Sequence, residues 1–270
     1  MPRYEIAHEF ETVTLSRDGG AARIELNRPE RLNAWDEQFG HDLLAAVRSV
    51  SADESVRAVE IGGAGRAFSA GADLKAGFTA LPDGHPDVET RLHELYHPII
   101  LGIREMPKPV VAAVNGPAVG IGCSLALASD LIVAARSAYF LLAFVKIGLV
   151  PDGGSSVFVP ARAGFARAME MSMLGERVSA ERALEWGLIN RVVEDADLAA
   201  DVGALVDRLA AGPTRSYAGT KRQINARAYA GIEPQLDLEA SIQQEQARTA
   251  DFMEGVAAFV EGREAHFTGR

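Results

Sequence analysis

A single cysteine in 270 residues, Cys123, excludes an internal disulfide and suits a reducing compartment. It lies in the apolar run Ile121-Gly122-Cys123-Ser124-Leu125-Ala126-Leu127, which gives it a packing role rather than a reactive one. No apolar run is long enough to span a bilayer, because charges interrupt each one. The start of the chain, Met1-Pro2-Arg3-Tyr4-Glu5-Ile6, lacks the basic-then-apolar pattern of a signal peptide, so a cytoplasmic location and no membrane partner are expected. Basic residues are scarce, 27 against 37 acidic ones. The resulting formal charge of −10 argues against a nucleic-acid partner, which requires basic surface to neutralise phosphates. An anionic ligand would need a local basic patch set against the overall field. Nucleotide fingerprints are missing as well: the glycines at 116, 120 and 122 follow GxxxGxG rather than GxGxxG, and no GxxxxGK[ST] occurs.

What is present is an ordinary globular composition, 48% hydrophobic and 24% charged, in a chain long enough to bury a substantial core. One large domain, or a domain with a helical extension, is the expected organisation. Thr12–Ser16 and Ala22–Leu26 alternate apolar and polar residues around Asp18-Gly19-Gly20, which predicts a hairpin. Phe39, Leu43, Leu44 and Val47 share one face of a helix predicted from about Asp36 to Val50. Ala58–Ile61, Pro109–Val114 and Leu131–Ala134 read as strands, and residues 87–105 as a long helix. From about residue 160 the pattern is helical with few strand signals, with breaks predicted at Gly212-Pro213 and Glu233-Pro234.

Two glycine-rich stretches, Gly65–Lys75 and Asn115–Ser124, contain few side chains suited to catalysis. Small residues let a ligand approach the main chain closely. The second stretch follows a strand and is expected to open a helix near Ile121, so free backbone N–H groups would face whatever lies there. Such an arrangement suits a developing oxyanion, although either loop alone is equally well read as a tight turn.

Four segments carry a family resemblance. Asn27-Arg28-Pro29-Glu30-Arg31-Leu32-Asn33-Ala34, Ala67-Phe68-Ser69-Ala70-Gly71-Ala72-Asp73-Leu74, Val114-Asn115-Gly116-Pro117-Ala118-Val119-Gly120 and Asp251–Phe259 resemble, in order, the signature segments of the crotonase (enoyl-CoA hydratase/isomerase) superfamily. The matches cover about residues 10 to 268. The resemblance implies an α/β fold, a crotonase-like spiral of ββα units over residues 1–195, with a C-terminal helical region over 196–270 that covers the active site and mediates oligomerisation. It implies homotrimers or dimers of trimers acting on an acyl-CoA thioester. By position, the backbone N–H groups of Ala72 and Ile121 would hold the thioester oxygen. Isoleucine stands where the family often has glycine, which leaves the N–H available but narrows the pocket. Ala70, Ala72, Asp73, Leu74 and Lys75 would line the CoA path, with Lys75, Arg28 and Lys221 as candidate phosphate contacts or, more plainly, solvated surface charge.

The two glutamates that activate water in the family's hydratases align with Ser124 and Phe144, which leaves the acyl pocket without that acid/base pair. Lys146–Gly154 resembles instead the segment of enoyl-CoA and ring-epoxyphenylacetyl-CoA isomerases, in which the acid after the proline shuttles a proton; Asp152 falls on it. An apolar surround from Phe140, Leu141, Leu142, Phe144 and Val145 would raise its pKa toward neutrality. Pro-Asp-Gly-Gly is also a good turn sequence, and its Asp can cap a helix starting near Ser155; the family frame tips the reading toward catalysis. No metal or redox cofactor is implied, since coenzyme A enters with the substrate.

Four rivals remain. His93-Glu94-Leu95-Tyr96-His97 matches the HExxH zinc pattern, but Pro98 is expected to disturb the helix at its second histidine. Ala67-Phe68-Ser69-Ala70-Gly71 matches the GxSxG elbow only loosely. An aroyl-CoA dehalogenase would use an aspartate at position 152 as nucleophile, with tryptophan where Phe144 stands. A catalytically silent acyl-CoA-binding paralogue is the non-enzymatic alternative.

Overall fold

The computed structural model describes residues 4–270, so the first three residues of the N-terminal stretch lie outside the described residues. The predicted hairpin is formed by β2 (Val13–Asp18) and β3 (Ala21–Leu26), paired antiparallel with Val13 opposite Leu26, and Gly19 supplies the positive φ of the turn. Outside it, β1 (Glu5–Glu9) adds an antiparallel edge. In α1 (Glu37–Ala52) the Asp36 carboxylate caps the first turn by accepting the Phe39 N–H at 2.9 Å. Phe39, Leu43, Val47 and Val50 then recur at helical spacing and are buried, each large side chain contributing about 1.5–3 kcal/mol.

The chain continues through β4 (Ala58–Gly63), α2 (Glu89–Arg91), a wider π-helical turn (Leu92–Tyr96), α3 (His97–Glu105), β5 (Val110–Val114), β6 (Pro117–Val119), α4 (Ile121–Ala128), β7 (Leu131–Ala135) and β8 (Tyr139–Leu141). After them come α5 (Ser155–Ala163), α6 (Phe165–Leu174), β9 (Val178–Ser179), α7 (Ala180–Glu185), β10 (Arg191–Val193), α8 (Leu198–Ala211), α9 (Thr214–Ala228), α10 (Ile232–Gln246) and α11 (Ala250–Glu261). The main sheet has seven strands in the order β1-β2-β3-β4-β5-β7-β10, parallel from β3 onward. Its interior strand β5, Val-Val-Ala-Ala-Val, is buried throughout, as a strand covered on both faces must be. A second sheet, β6-β8-β9, stands beside it. The architecture is the α/β spiral followed by helices that the sequence implied. The helical region shares the core of the sheet, because Val202 and Val206 of α8 pack into the same hydrophobic cluster.

Two short strands, β9 and β10, occur beyond residue 160, where few strand signals were read. Two expectations are corrected. Pro98 does not break its helix: the π turn before it, closed by His97 N–H to Leu92 C=O, widens the coil where the proline ring would strike the preceding turn, and α3 runs on. Glu233-Pro234 does not separate helices either. It lies in the first turn of α10, where a missing N–H costs nothing, and the break falls at Gly231 with φ +78. Among the described residues no helix is long and apolar enough to cross a membrane.

Candidate active site

Asn33 ties the first signature segment to the second. Fully buried at φ +55, it accepts the Arg28 N–H through Oδ1 and donates from Nδ2 to the carbonyls of Ala64, Ala67 and Phe68 at 2.9–3.2 Å. Trp35 Nε1 donates to Ser69 Oγ at 3.1 Å, and that hydroxyl donates to the Asn33 carbonyl at 2.8 Å. The segment so anchored pairs with the second glycine-rich stretch. Ser69 N–H donates to Pro117 C=O at 3.0 Å, and Val119 N–H to Ser69 C=O at 2.9 Å. Two glycines make the approach possible. A Cβ on Gly71 would lie 2.9 Å from the Val119 oxygen, and one on Gly122 only 2.6 Å from the Ser69 side chain.

This pairing exposes two backbone donors on adjacent loops. Trp35 N–H donates to Gly71 C=O at 2.8 Å and Asp73 N–H to Trp35 C=O at 2.9 Å, so the intervening Ala72 N–H points the other way. Ile121 is the first residue of α4, where an N–H has no intrahelical acceptor. Among the described residues neither N–H has a hydrogen-bond partner. Cys123, on the same helix, is wholly buried with its thiol pushed up to about 12 by desolvation, as its packing role requires.

Asp152 approaches the start of α4 from the turn ahead of α5. Ser124 Oγ donates to the Asp152 carbonyl at 2.8 Å, and the Ile121 side chain packs against Gly153. The Asp152 side chain is buried, and desolvation first, then the nearby negative charge of Glu239, raises its pKa from 3.8 to about 8. A hydrogen bond from Gln243 Nε2 to Oδ2 at 2.8 Å works in the opposite direction. Oδ1 is buried and has no partner. The side chain does not cap α5: Gly154 is the N-cap residue, and the free N–H groups of Gly154 and Ser156 are taken by Glu239 at 2.8 and 3.1 Å. A carboxyl that is neither capping nor ion-paired is free for proton transfer.

The other sequence candidates fall into two groups. Ser124 is fully buried against the Gly153 turn, and Phe144 packs its ring 3.8 Å from the Cβ position of Gly120 at the start of α4. Ala70, Ala72, Asp73 and Leu74 form a half-buried rim beside the free Ala72 N–H, and Lys75 is exposed at its end. Arg28 is committed elsewhere, bridging Asp36 at 2.9 Å and Asp73 at 3.5 Å. Lys221 is a correction. Its Nζ is buried and spends its donors on the Ile103 and Lys108 carbonyls and on Asp130, at 2.7, 3.2 and 2.9 Å, which leaves none for a CoA phosphate. A concavity of about 710 Å³ beside it, between the end of α3 and α9, includes none of Ala72, Ile121, Ser124, Phe144 or Asp152.

The HExxH histidines do come together. His93 and His97 lie with Asp237 of α10 so that one donor atom of each is within 4.8 Å of the others, while Glu94 of the pattern is exposed and outside the group. His97 is buried and held neutral, its pKa lowered to about 4 by desolvation, and His93 is within 3.7 Å of Asp237.

Sequence reasoning missed Glu239 and Gln243. The available signal was polar residues one turn apart on the face of α10 that also carries Leu236 and Ala240, a face expected to be apolar. It also missed Tyr96 on the π turn, buried edge-on to Trp35 at 5.2 Å, its phenol held neutral by desolvation.

Comparison with known proteins supplies the family. The family model described as enoyl-CoA hydratase/isomerase matches residues 16–270. The chain is 41% identical over 251 residues to the 1,2-epoxyphenylacetyl-CoA isomerase of Escherichia coli K12, covering 93% of this chain and 96% of that protein. It is 42% identical over 261 residues to a probable enoyl-CoA hydratase of Rhodobacter capsulatus, covering 97% and 99% respectively. The crystal structure of an enoyl-CoA hydratase from Mycobacterium avium subsp. paratuberculosis K-10 superposes with a TM-score of 0.88 at 36% identity, over 96% of this chain and all of that one. A match over this length, together with the same fold, places the chain in the enoyl-CoA hydratase/isomerase family of acyl-CoA enzymes.

Proposed function

We propose that the chain is an acyl-CoA isomerase that stabilises a thioester enolate and moves one proton with one carboxyl group. The observation that carries this reading is Asp152: buried, its pKa raised to about 8, one oxygen unpartnered, and packed against the first turn of α4. As a carboxylate it takes a proton from the α-carbon of a 3-enoyl thioester. The electron pair passes onto the thioester oxygen, where the Ala72 and Ile121 N–H groups form the oxyanion hole. Asp152 returns the proton two carbons away, which gives the conjugated 2-enoyl product and restores the carboxylate. No water, metal or redox cofactor enters this cycle.

Hydration needs a second group to activate water. Ser124 and Phe144 supply no carboxylate, and both oxygens of Glu239 accept backbone N–H bonds, which favours isomerisation over hydration. Similarity to the epoxyphenylacetyl-CoA isomerase supports a ring-bearing acyl group as an alternative to a linear one. Lys75 is the phosphate contact left open in this reading. The stripe of exposed Phe165, Met169 and Met173 at successive turns of α6 supports association of copies into a homotrimer or dimer of trimers. The 196–270 region then serves as active-site cover through α10.

Separate assays with a 3-enoyl-CoA and a 2-enoyl-CoA, on the protein and on Asp152→Asn, test the proposal. Double-bond migration lost in the variant, with little hydration, is expected. Rapid hydration indifferent to Asp152 overturns it, and acyl-CoA binding without turnover of linear or ring substrates leaves a silent binder.

A further inference from the structure

We infer that α10 determines which oxygen of Asp152 carries the exchangeable proton, with Gln243 and Glu239 as positioning residues. The inference rests on the reading of Asp152 as acid/base and deepens it.

Gln243 is fully buried and touches two groups of fixed polarity. Its Oε1 accepts the Val150 N–H at 3.4 Å, and its Nε2 donates to Asp152 Oδ2 at 2.8 Å. A backbone N–H can only donate, so the amide cannot be turned round without setting two donors face to face. Its NH₂ end therefore always faces Asp152. An NH₂ only donates, and in a neutral acid the carbonyl oxygen is a far better acceptor than the hydroxyl, so Oδ2 is the accepting oxygen whether Asp152 is charged or neutral. The proton of the neutral acid is left to Oδ1, the buried oxygen without a partner. That oxygen both gives and takes the proton during turnover.

Glu239 lies one helical turn earlier on α10 and is also buried. It accepts the Gly154 and Ser156 N–H groups, satisfying the exposed start of α5 and fixing the turn that bears Asp152. Both of its oxygens act as acceptors, which favours the carboxylate, while burial pushes its pKa up to about 7; once ionised, its charge opposes ionisation of Asp152. The hydrogen bond from Gln243 favours ionisation. Among the described residues the other titratable group reaching Asp152 is Tyr96 on the π turn, itself neutral with Arg91 beside it. Ile121 and Ser124 from α4, and Phe144, bring no charge. Two contacts on one helix thus act on the same carboxyl in opposite directions.

The test is a pH titration of the Asp152 carboxyl in the substrate-free protein by isotope-edited difference infrared spectroscopy, the band being assigned by its loss in Asp152→Asn. Glu239→Gln is expected to lower the midpoint and Gln243→Met to raise it, each by about one pH unit, a tenfold change in proton affinity. In Gln243→Met the protonated-acid carbonyl band moves to higher frequency, because the C=O at Oδ2 has lost its donor. A purely structural role predicts otherwise: both variants loosen and hydrate the site, and both midpoints drift down toward ordinary aspartate. Midpoints moving together, or an unmoved carbonyl band in Gln243→Met, overturn the inference. If Glu239→Gln fails to fold, Gln243→Met alone decides by the sign of its shift. The pH profile of turnover separates this inference from the function it rests on. Midpoints that shift in opposite directions while turnover ignores Asp152 sustain the role of α10 and overturn the acid/base reading. Turnover that needs Asp152, with unmoved midpoints, does the reverse.

Discussion

Replacing Asp152 by asparagine is expected to abolish turnover and, by the same physics, to make the fold more tolerant of neutral pH. Burial carries the Asp152 pKa from 3.8 to about 8, so in that window the folded chain holds a proton that the unfolded chain has released. Stability then falls as pH rises, by about 1.4 kcal/mol per pH unit, beginning near pH 4 and ending near pH 8. Asparagine resembles the neutral acid in shape, can accept the Gln243 N–H through its carbonyl, and does not titrate. Its amide hydrogens, buried without an acceptor, cost about 1–3 kcal/mol at every pH. The absolute difference between variant and parent is therefore a balance, but its slope is not. From about pH 5 to about pH 7 the stability of Asp152→Asn relative to the parent should grow by about 3 kcal/mol. Urea unfolding at fixed protein concentration, read as midpoints at unchanged m-value, measures this. A difference flat across that range would falsify the claim that burial holds Asp152 neutral, whatever reaction the enzyme performs.

Three further outcomes follow from the same geometry. The kcat/KM for double-bond migration should rise with pH through about 8, as the Asp152 carboxylate forms, and a profile flat across that region would mean another group is the base. Ile121→Pro removes the proposed oxyanion donor at a helix position that tolerates proline, so kcat should fall about a hundredfold or more while circular dichroism stays unchanged. Ile121→Val controls for lost packing on Gly153, and equal losses in the two variants would count against the oxyanion role. Gly122→Ala forces a methyl group to within 2.6 Å of Ser69, and should cost about 1–3 kcal/mol of stability in a denaturant melt by prising the two loops apart.

Local chemistry accounts for what could be read before folding. The hairpin, the helix from about Asp36, the apolar strands and the glycine-rich turns depend on neighbours within a few residues, and each was found where it was expected. The order of the signature segments carried the family. Pro98 and Pro234 were misread because a proline's cost depends on the turn around it: a widened coil absorbed one, and a helix start absorbed the other. Lys221 was misread because a lysine in a helix shows no sign of the carbonyls and aspartate that will surround it from elsewhere in the chain.

The tertiary structure alone decided the surroundings of the Asp152 carboxyl. Glu239 and Gln243 stand some 90 residues from Asp152 in sequence, and only the packing of α10 against the start of α5 brings them to it. A carboxyl's pKa is a property of its surroundings, of water excluded, charges nearby and bonds accepted, and none of these is local in the chain. The sequence therefore determined that an aspartate stands at this position. Folding determined that it is buried, opposed by one carboxylate, held by one amide, and left with a single oxygen unpartnered.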